Sequence, residues 1–356
     1  MTLNKKYYLF VGTYTSPGRS EGIYVFEFDT QTAGTKYKSV AVISNPSYFA
    51  LTRDQRFLYA VSEDQESRIS GFAFNPKNGE LRFLNSQLSG GAGPTYISVD
   101  DNGKYVFAAN YKGGSITVVP IEENGLLGAD IQDIKHEGKS IVKDKPFVHS
   151  AVLSPDNKFV FAADLGTDRV NIYKYDPGKR PSPLSRAQVP FVTLHPGAGP
   201  RHTIFHPSGN FFYVVAELSS VVMVYRYRNG KLTHIQMLTL LPEGYSGKGD
   251  GADIQVSADG RFLYANTRNV INEILVFSIN RQNGLLTQIG RHSTMGERPR
   301  TFTIDPSGDW LVVPNQGSNS INILRRDQKT GLLSPSGIVI TVDQPSLVKF
   351  AEIGSE

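Results

Sequence analysis

The chain has 356 residues, no cysteine and a formal net charge of +4. That length allows two ordinary domains or one large repetitive one, and the lack of cysteine excludes disulfides, thiolate catalysis and Cys-ligated zinc. The basic residues are scattered, without a Lys/Arg block that would make a nucleic-acid-binding stripe, and no apolar run reaches the roughly 18 residues of a membrane span. The 34 glycines, 20 prolines, 17 tyrosines and 20 phenylalanines point to many turns between aromatic strands, an all-β composition.

The N-terminal segment MTLNKKYYLFVGTY has Lys5 and Lys6 but only a few apolar residues after them, so it does not read as a secretory leader. A cytoplasmic location is therefore expected, with an exported form left open. Its part KKYYLFVGTY (5–14) is the first of seven related segments. The others are DQRFLYAVSE (54–63), DNGKYVFAAN (101–110), DNKFVFAAD (156–164), SGNFFYVVAE (208–217), DGRFLYANTR (259–268) and SGDWLVVPNQ (307–316). Their aligned aromatics are Tyr7, Phe57, Tyr105, Phe159, Phe211, Phe262 and Trp310, at spacings of 50, 48, 54, 52, 51 and 48 residues. A third strand follows each copy, and most copies then show an Asn-Gly or similar turn and a weaker fourth strand.

Four short antiparallel strands per roughly 50 residues, seven times over, predict one seven-bladed β-propeller domain spanning residues 1–356. The chain starts on a second strand, and the missing first strand returns at the other end, where QPSLVKFAEI (344–353) resembles NPSYFALTRD (45–54). Residues 346–351 are thus expected to supply the innermost strand of the N-terminal blade and close the ring. The segment 130–147 and the loop PEGYSGKGDGA (242–252) are the long irregular stretches.

Packing asks the same of every copy, so positions that differ between copies are the informative ones. Ten residues before the aligned aromatic stand Ser47, Thr95, His149, Arg201, Ala252, Arg300 and, in the closing copy, Ser346. Six residues after it stand Thr13, Glu63, Tyr111, Leu165, Glu217, Arg268 and Gln316. In an antiparallel hairpin the start of one strand lies beside the end of the next, so both sets are expected at one mouth of the central channel. That rim would collect His149, Arg201, His202, Glu217, Arg268, Arg300, Glu63, Tyr111 and Gln316, where a small-molecule site is the natural expectation.

Blander roles compete for several of these. The arginines could be solvated or pair with Glu63 and Glu217, and His149 could be a satisfied structural histidine. His206 belongs to a tight turn on the opposite face. Asp101, Asp156, Asp259 and Asp305 read as turn formers, and Asp164, Asp168 and Asp253 as ion-pair or turn residues. Gly90, Gly91 and Gly93, like Gly197 and Gly199, lead into strands rather than a helix, which leaves no helix dipole for a nucleotide phosphate.

With these residues placed, the chain resembles the lactonase family of seven-bladed propellers, which includes bacterial 6-phosphogluconolactonases of the propeller type and fungal carboxy-cis,cis-muconate cyclases. The resemblance covers nearly the whole chain and is carried by FVGTYTS (10–16), NPSYFALTRDQRFLYAVSE (45–63), GPTYISVDDNGKYVFAANYKGGSITV (93–118), PFVHSAVLSPDNKFVFAADLGTDRV (146–170), GAGPRHTIFHPSGNFFYVVAELSSVV (197–222) and RPRTFTIDPSGDWLVVPNQGSNSI (298–321). It implies a functional set of His149, Arg201, His202, Glu217 and Arg268, the same rim that the repeat isolates. Phe147 replaces a His usual in the family, Ala216 and Thr267 replace asparagines, and Asp253 stands where a Glu is common.

The function expected is hydrolysis of a small anionic sugar-acid lactone, 6-phosphogluconolactone first among candidates, by a monomer or weak homodimer without metal or cofactor. Ester hydrolysis needs an activated water, a stabilised oxyanion and a proton for the leaving alkoxide. Glu217 or His149 could be the base on water and the other the acid, with Arg201 and Arg268 on the oxyanion. Arg300, His202 and Lys112 could hold a phosphate or carboxylate, with Tyr111, Glu63 and Gln316 also lining the substrate. No Ser nucleophile elbow is present, which favours direct attack by water. The alternatives are a carboxymuconate-type lactonising cyclase and a non-catalytic binding propeller.

Overall fold

The computed structural model of the chain describes residues 6–16, 19–129 and 132–354. Residues 1–5, to which part of the leader reading applies, lie outside these. The described strands form seven antiparallel sheets of four. Blade 1 consists of Lys6–Thr13, Gly22–Asp29 and Thr35–Val42 with Pro345–Glu352 on its inner edge. Blades 2 to 7 follow as 49–88, 94–135, 148–193, 200–239, 250–293 and 303–341. The closing strand pairs with Lys6–Thr13 from Tyr7↔Glu352 to Thr13↔Pro345, as the sequence predicts.

Six clusters of buried apolar side chains lie between the blades. One joins blades 1, 2 and 3, and the others join 3 with 4, 4 with 5, 5 with 6, 6 with 7 and 7 with 1. The core is therefore a closed belt that no blade could bury alone.

The repeated aromatic has a defined task in that belt. It is the platform for the outer turn of the next blade. Gly125 in blade 3 and Gly284 in blade 6 lie at φ +84° and +78°, in the left-handed region that glycine enters without a Cβ penalty. A Cβ on Gly125 would come 2.1 Å from the Phe57 ring, and one on Gly284 would come 2.3 Å from Phe211.

In blades 2, 3, 4, 6 and 7 the turn before the aromatic is capped by the side chain five residues upstream. Asp100 and Asp305 each accept the aromatic's own backbone N–H at 2.8 Å, from Tyr105 and Trp310. Asp156 and Asp259 sit inside their turns and accept the hydroxyls of Ser154 and Ser257 at 2.6 Å. Asp101 likewise sits inside its turn, where Asp100 does the capping and the exposed Asp101 faces Arg53 at 3.5 Å.

Candidate active site

The inner strands do not begin as plain ladders. In blade 5, Pro200 pairs with Ala216 and His202 with Val215, which leaves Arg201 as an extra residue in a β-bulge. The same shift falls on Thr95 in blade 3, His149 in blade 4 and Ser346 in the closing strand, and it spans Ala252 and Asp253 in blade 6. A bulge re-aims the inserted side chain, so neighbours such as Arg201 and His202 both reach the site rather than opposite faces. Glu217 donates its backbone N–H to the Gly199 carbonyl at 2.7 Å, which sets the end of its strand beside the start of Arg201's.

Two carboxylates organise the rim. Glu217 is clamped between two guanidiniums: Arg268 Nη2 donates to its Oε2 at 2.9 Å, and Arg201 Nε lies 2.9 Å from the same oxygen. Arg201 Nε lies off the line of a hydrogen bond, so that contact is an ion pair. Arg201 is 1% exposed and Glu217 13%, an enclosure in which charge interactions outweigh those at the surface. Arg201 Nη1 also donates to the Ala252 carbonyl. Glu63 Oε2 accepts the hydroxyls of Tyr14 and Ser47 at 2.6 Å each and that of Thr95 at 3.4 Å. Arg300 Nη2 lies 3.9 Å from that oxygen, with its guanidinium over the Tyr14 ring at 5.2 Å.

A column of rings runs from the rim into the channel. Phe147 packs on Tyr111 at 4.9 Å, Tyr111 on His149 at 5.4 Å, and His149 on His202 at 5.2 Å. His202 then meets the rings of Tyr48 and Tyr96. His202 Nδ1 donates to Asp253 Oδ1 at 2.7 Å, and the N–H of Phe302 donates to Oδ2 at 3.2 Å. Half-buried Lys349 places its ammonium 5.7 Å from the Tyr48 ring.

Burial and the crowd of guanidiniums set the protonation states. Burial, then Arg201 and His202, push His149 well below the ordinary 6.5, so at neutral pH it is an uncharged imidazole. Its buried Nδ1 has no partner. Burial and Arg201 pull His202 to about 4 against the opposing pull of Asp253, so that pair is a neutral imidazole donating to a carboxylate. Burial works against the charge on Glu217, yet Arg268, Arg201 and Arg300 together hold it below the usual carboxylate range. Burial, then like-charged Arg268, lower Arg201 to about 9, leaving it cationic at neutral pH. Burial raises the Tyr111 phenol, which stays protonated.

The structure thus brings together Arg201, Glu217, Arg268, His149, His202 and Tyr111, with Arg300 and Glu63 beside them. Gln316 is half-buried with its Oε1 unpartnered. Lys112 is the exception. It is exposed, its stem lies along Gly93, and the structure records no ion pair between it and the cluster. His206 lies at the opposite turn, as expected, bonded to Ser208 and to the Gly260 carbonyl. Asp164 holds the Phe147 N–H and His136, and Asp168 holds the N–H groups of Gly197 and Gly199. A cleft of about 730 Å³ between blades 2 and 3 is lined by turn residues such as Thr52, Asp54 and Asn102, away from the rim.

Sequence reasoning missed Tyr14, Tyr48, Tyr96 and Lys349 and left Asp253 as an ion-pair or turn residue. A signal existed for three of these five. One position beyond the bulge stand Tyr48, Tyr96, Ser150, His202, Asp253 and Thr301, a second ring of variable residues deeper in the channel. Among the described residues no three of His, Asp and Glu converge as a metal ligand set.

Fold and rim together define a propeller whose channel mouth carries acid–base and guanidinium groups. The sequence model of the family described as Lactonase, 7-bladed beta-propeller, matches residues 8–350. The chain is 36% identical over 351 residues to a 6-phosphogluconolactonase of Bacillus subtilis, covering 97% of this chain and 98% of that one. It is 36% identical over 345 residues to a 6-phosphogluconolactonase of Formosa agariphila, covering 93% and 96%. A solved structure of the periplasmic gluconolactonase of Pseudomonas aeruginosa superposes with a TM-score of 0.94 at 37% identity, covering 98% of this chain and all of that one. The chain belongs to the lactonase family of seven-bladed β-propellers.

Proposed function

We propose that this protein hydrolyses a sugar-acid lactone at the Arg201–Glu217–Arg268 rim, with 6-phosphogluconolactone as the substrate named by two of its relatives. The observation that carries the reading is an uncharged His149, stacked between Tyr111 and His202, on the rim where the Glu217 carboxylate is already committed to two guanidiniums. A carboxylate so clamped is a poor proton acceptor, whereas an uncharged imidazole keeps one ring nitrogen able to accept a proton. His149 is therefore assigned the base. It takes a proton from water as the water oxygen attacks the lactone carbonyl carbon. Arg201 and Arg268 face the negative charge that grows on the carbonyl oxygen, and Glu217 fixes the two guanidiniums for it. As the ring C–O bond breaks, the imidazolium returns the proton to the leaving alkoxide, and the product carboxylate ionises.

The test is turnover of 6-phosphogluconolactone by pure protein, compared with His149→Ala and His149→Gln. Loss of kcat in both supports the assignment, and unchanged kcat in either overturns it.

A further inference from the structure

At the inner rim Arg201, Arg268 and Arg300 face Glu63, Glu217 and Asp253, each of these guanidiniums has a carboxylate within reach, and the remaining cation, half-buried Lys349, lies deeper against the Tyr48 ring. A dianionic substituent on the substrate would need further cations. Two stand at the outer end of the ring column. The Lys143 and Lys145 ammonium groups lie 5.1 and 5.2 Å from the centroid of the same Phe147 ring, and neither forms an ion pair among the described residues. Lys145 Nζ donates to the Lys112 carbonyl at 3.0 Å. Two like charges drawn to one ring repel each other, and an anion between them would relieve that repulsion. Phe147 is two ring contacts from His149 by way of Tyr111, a gap that flexible lysine stems can narrow.

We propose that Lys143 and Lys145, on the Phe147–Tyr111 wall, form a subsite for the phosphate of a phosphorylated sugar-acid lactone and set the preference for phosphorylated over unphosphorylated substrate. The proposal rests on reading the rim as a lactone site. It moves the phosphate from Arg300, His202 and Lys112, the set expected from the sequence, to two lysines between the strand Gln132–Lys135 and blade 4.

The experiment measures kcat/KM for 6-phosphogluconolactone and for gluconolactone in the wild-type protein, in Lys143→Ala/Lys145→Ala and in Lys143→Glu/Lys145→Glu. Lys145 is exposed and Lys143 half-buried, and retention of the fold is checked by circular dichroism. The ratio of the two constants should fall about tenfold in the double alanine variant, chiefly through KM for the phosphorylated substrate, and further in the double glutamate variant. Raising the salt concentration should shrink the wild-type ratio. A ratio within twofold of wild type in the glutamate variant overturns the subsite while leaving the lactonase reading intact, as does a wild type that prefers gluconolactone. Failure of the wild type to hydrolyse either lactone overturns both.

Discussion

His202 offers a stability test that is independent of any substrate. Its imidazole is 3% exposed, donates to Asp253, and has a folded pKa of about 4 against the ordinary 6.5. A base whose folded pKa is depressed is protonated first in the unfolded chain. The unfolded state therefore gains protons as pH falls from 6.5 towards 4, and stability is lost across that window. At pH 4.5 the unfolded histidine is charged and the folded one mostly neutral, about two pKa units of imbalance, or about 3 kcal/mol. Asp253 adds nothing there, because its folded pKa is also depressed and its loss begins only as pH approaches its ordinary 3.8. The variant His202→Asn keeps a donor near Asp253 but has nothing to titrate. Urea unfolding at pH 7 and pH 4.5 should show wild type losing about 3 kcal/mol more than His202→Asn between the two conditions, and any pH-independent packing cost cancels in that comparison. Equal losses in the two proteins would refute the assignment of a neutral, buried His202.

The pH profile of kcat/KM should have an acid limb with its midpoint below 6.5, since His149 works neutral and gains its proton only below its lowered pKa. The alkaline limb should lie near pH 9, where Arg201 begins to lose its charge; an acid midpoint at or above 6.5 would contradict the base assignment. Gly284→Ala combines a positive φ with a Cβ 2.3 Å from Phe211 and should lower stability by about 2 kcal/mol or more in thermal denaturation; a neutral result would show that the aromatic platform yields. Removing residues 345–352 strips the partner from Lys6–Thr13. The apolar edge Leu9–Val11 would then be open, and the expected outcome is aggregation by size-exclusion chromatography, whereas a monodisperse, equally stable truncation would contradict the ring-closing role.

Most of the architecture was legible because a propeller repeats one packing problem, and the departures from the repeat fell on the rim. Arg201, Glu217, Arg268 and His149 were found in this way without knowledge of any contact. Ring closure was legible for the same reason: a missing strand at one end and a spare one at the other admit few solutions. What stayed hidden depended on contacts between blades. Asp253 meets His202 only because blades 5 and 6 are neighbours around the channel, and Tyr14 meets Glu63 across the boundary between blades 1 and 2. The bulges were also hidden. Strict alternation would have sent Arg201 and His202 to opposite faces, and only the register shift at Arg201 lets both serve one site. Lys112 sits in a turn after the strand, where alternation no longer sets the side-chain direction.

The rim around Arg201 and Glu217 is assigned the hydrolysis of a sugar-acid lactone. The most direct measurement is single-substrate turnover of 6-phosphogluconolactone by purified, chelator-treated protein alongside Arg201→Ala, Arg201→Lys and Glu217→Ala. Efficient turnover by wild type is predicted, with kcat/KM reduced about 100-fold or more in Arg201→Ala and Glu217→Ala and little rescue by lysine, which lacks the guanidinium fork. Wild-type rates in Arg201→Ala or Glu217→Ala would show that lactone hydrolysis takes place elsewhere than at this rim.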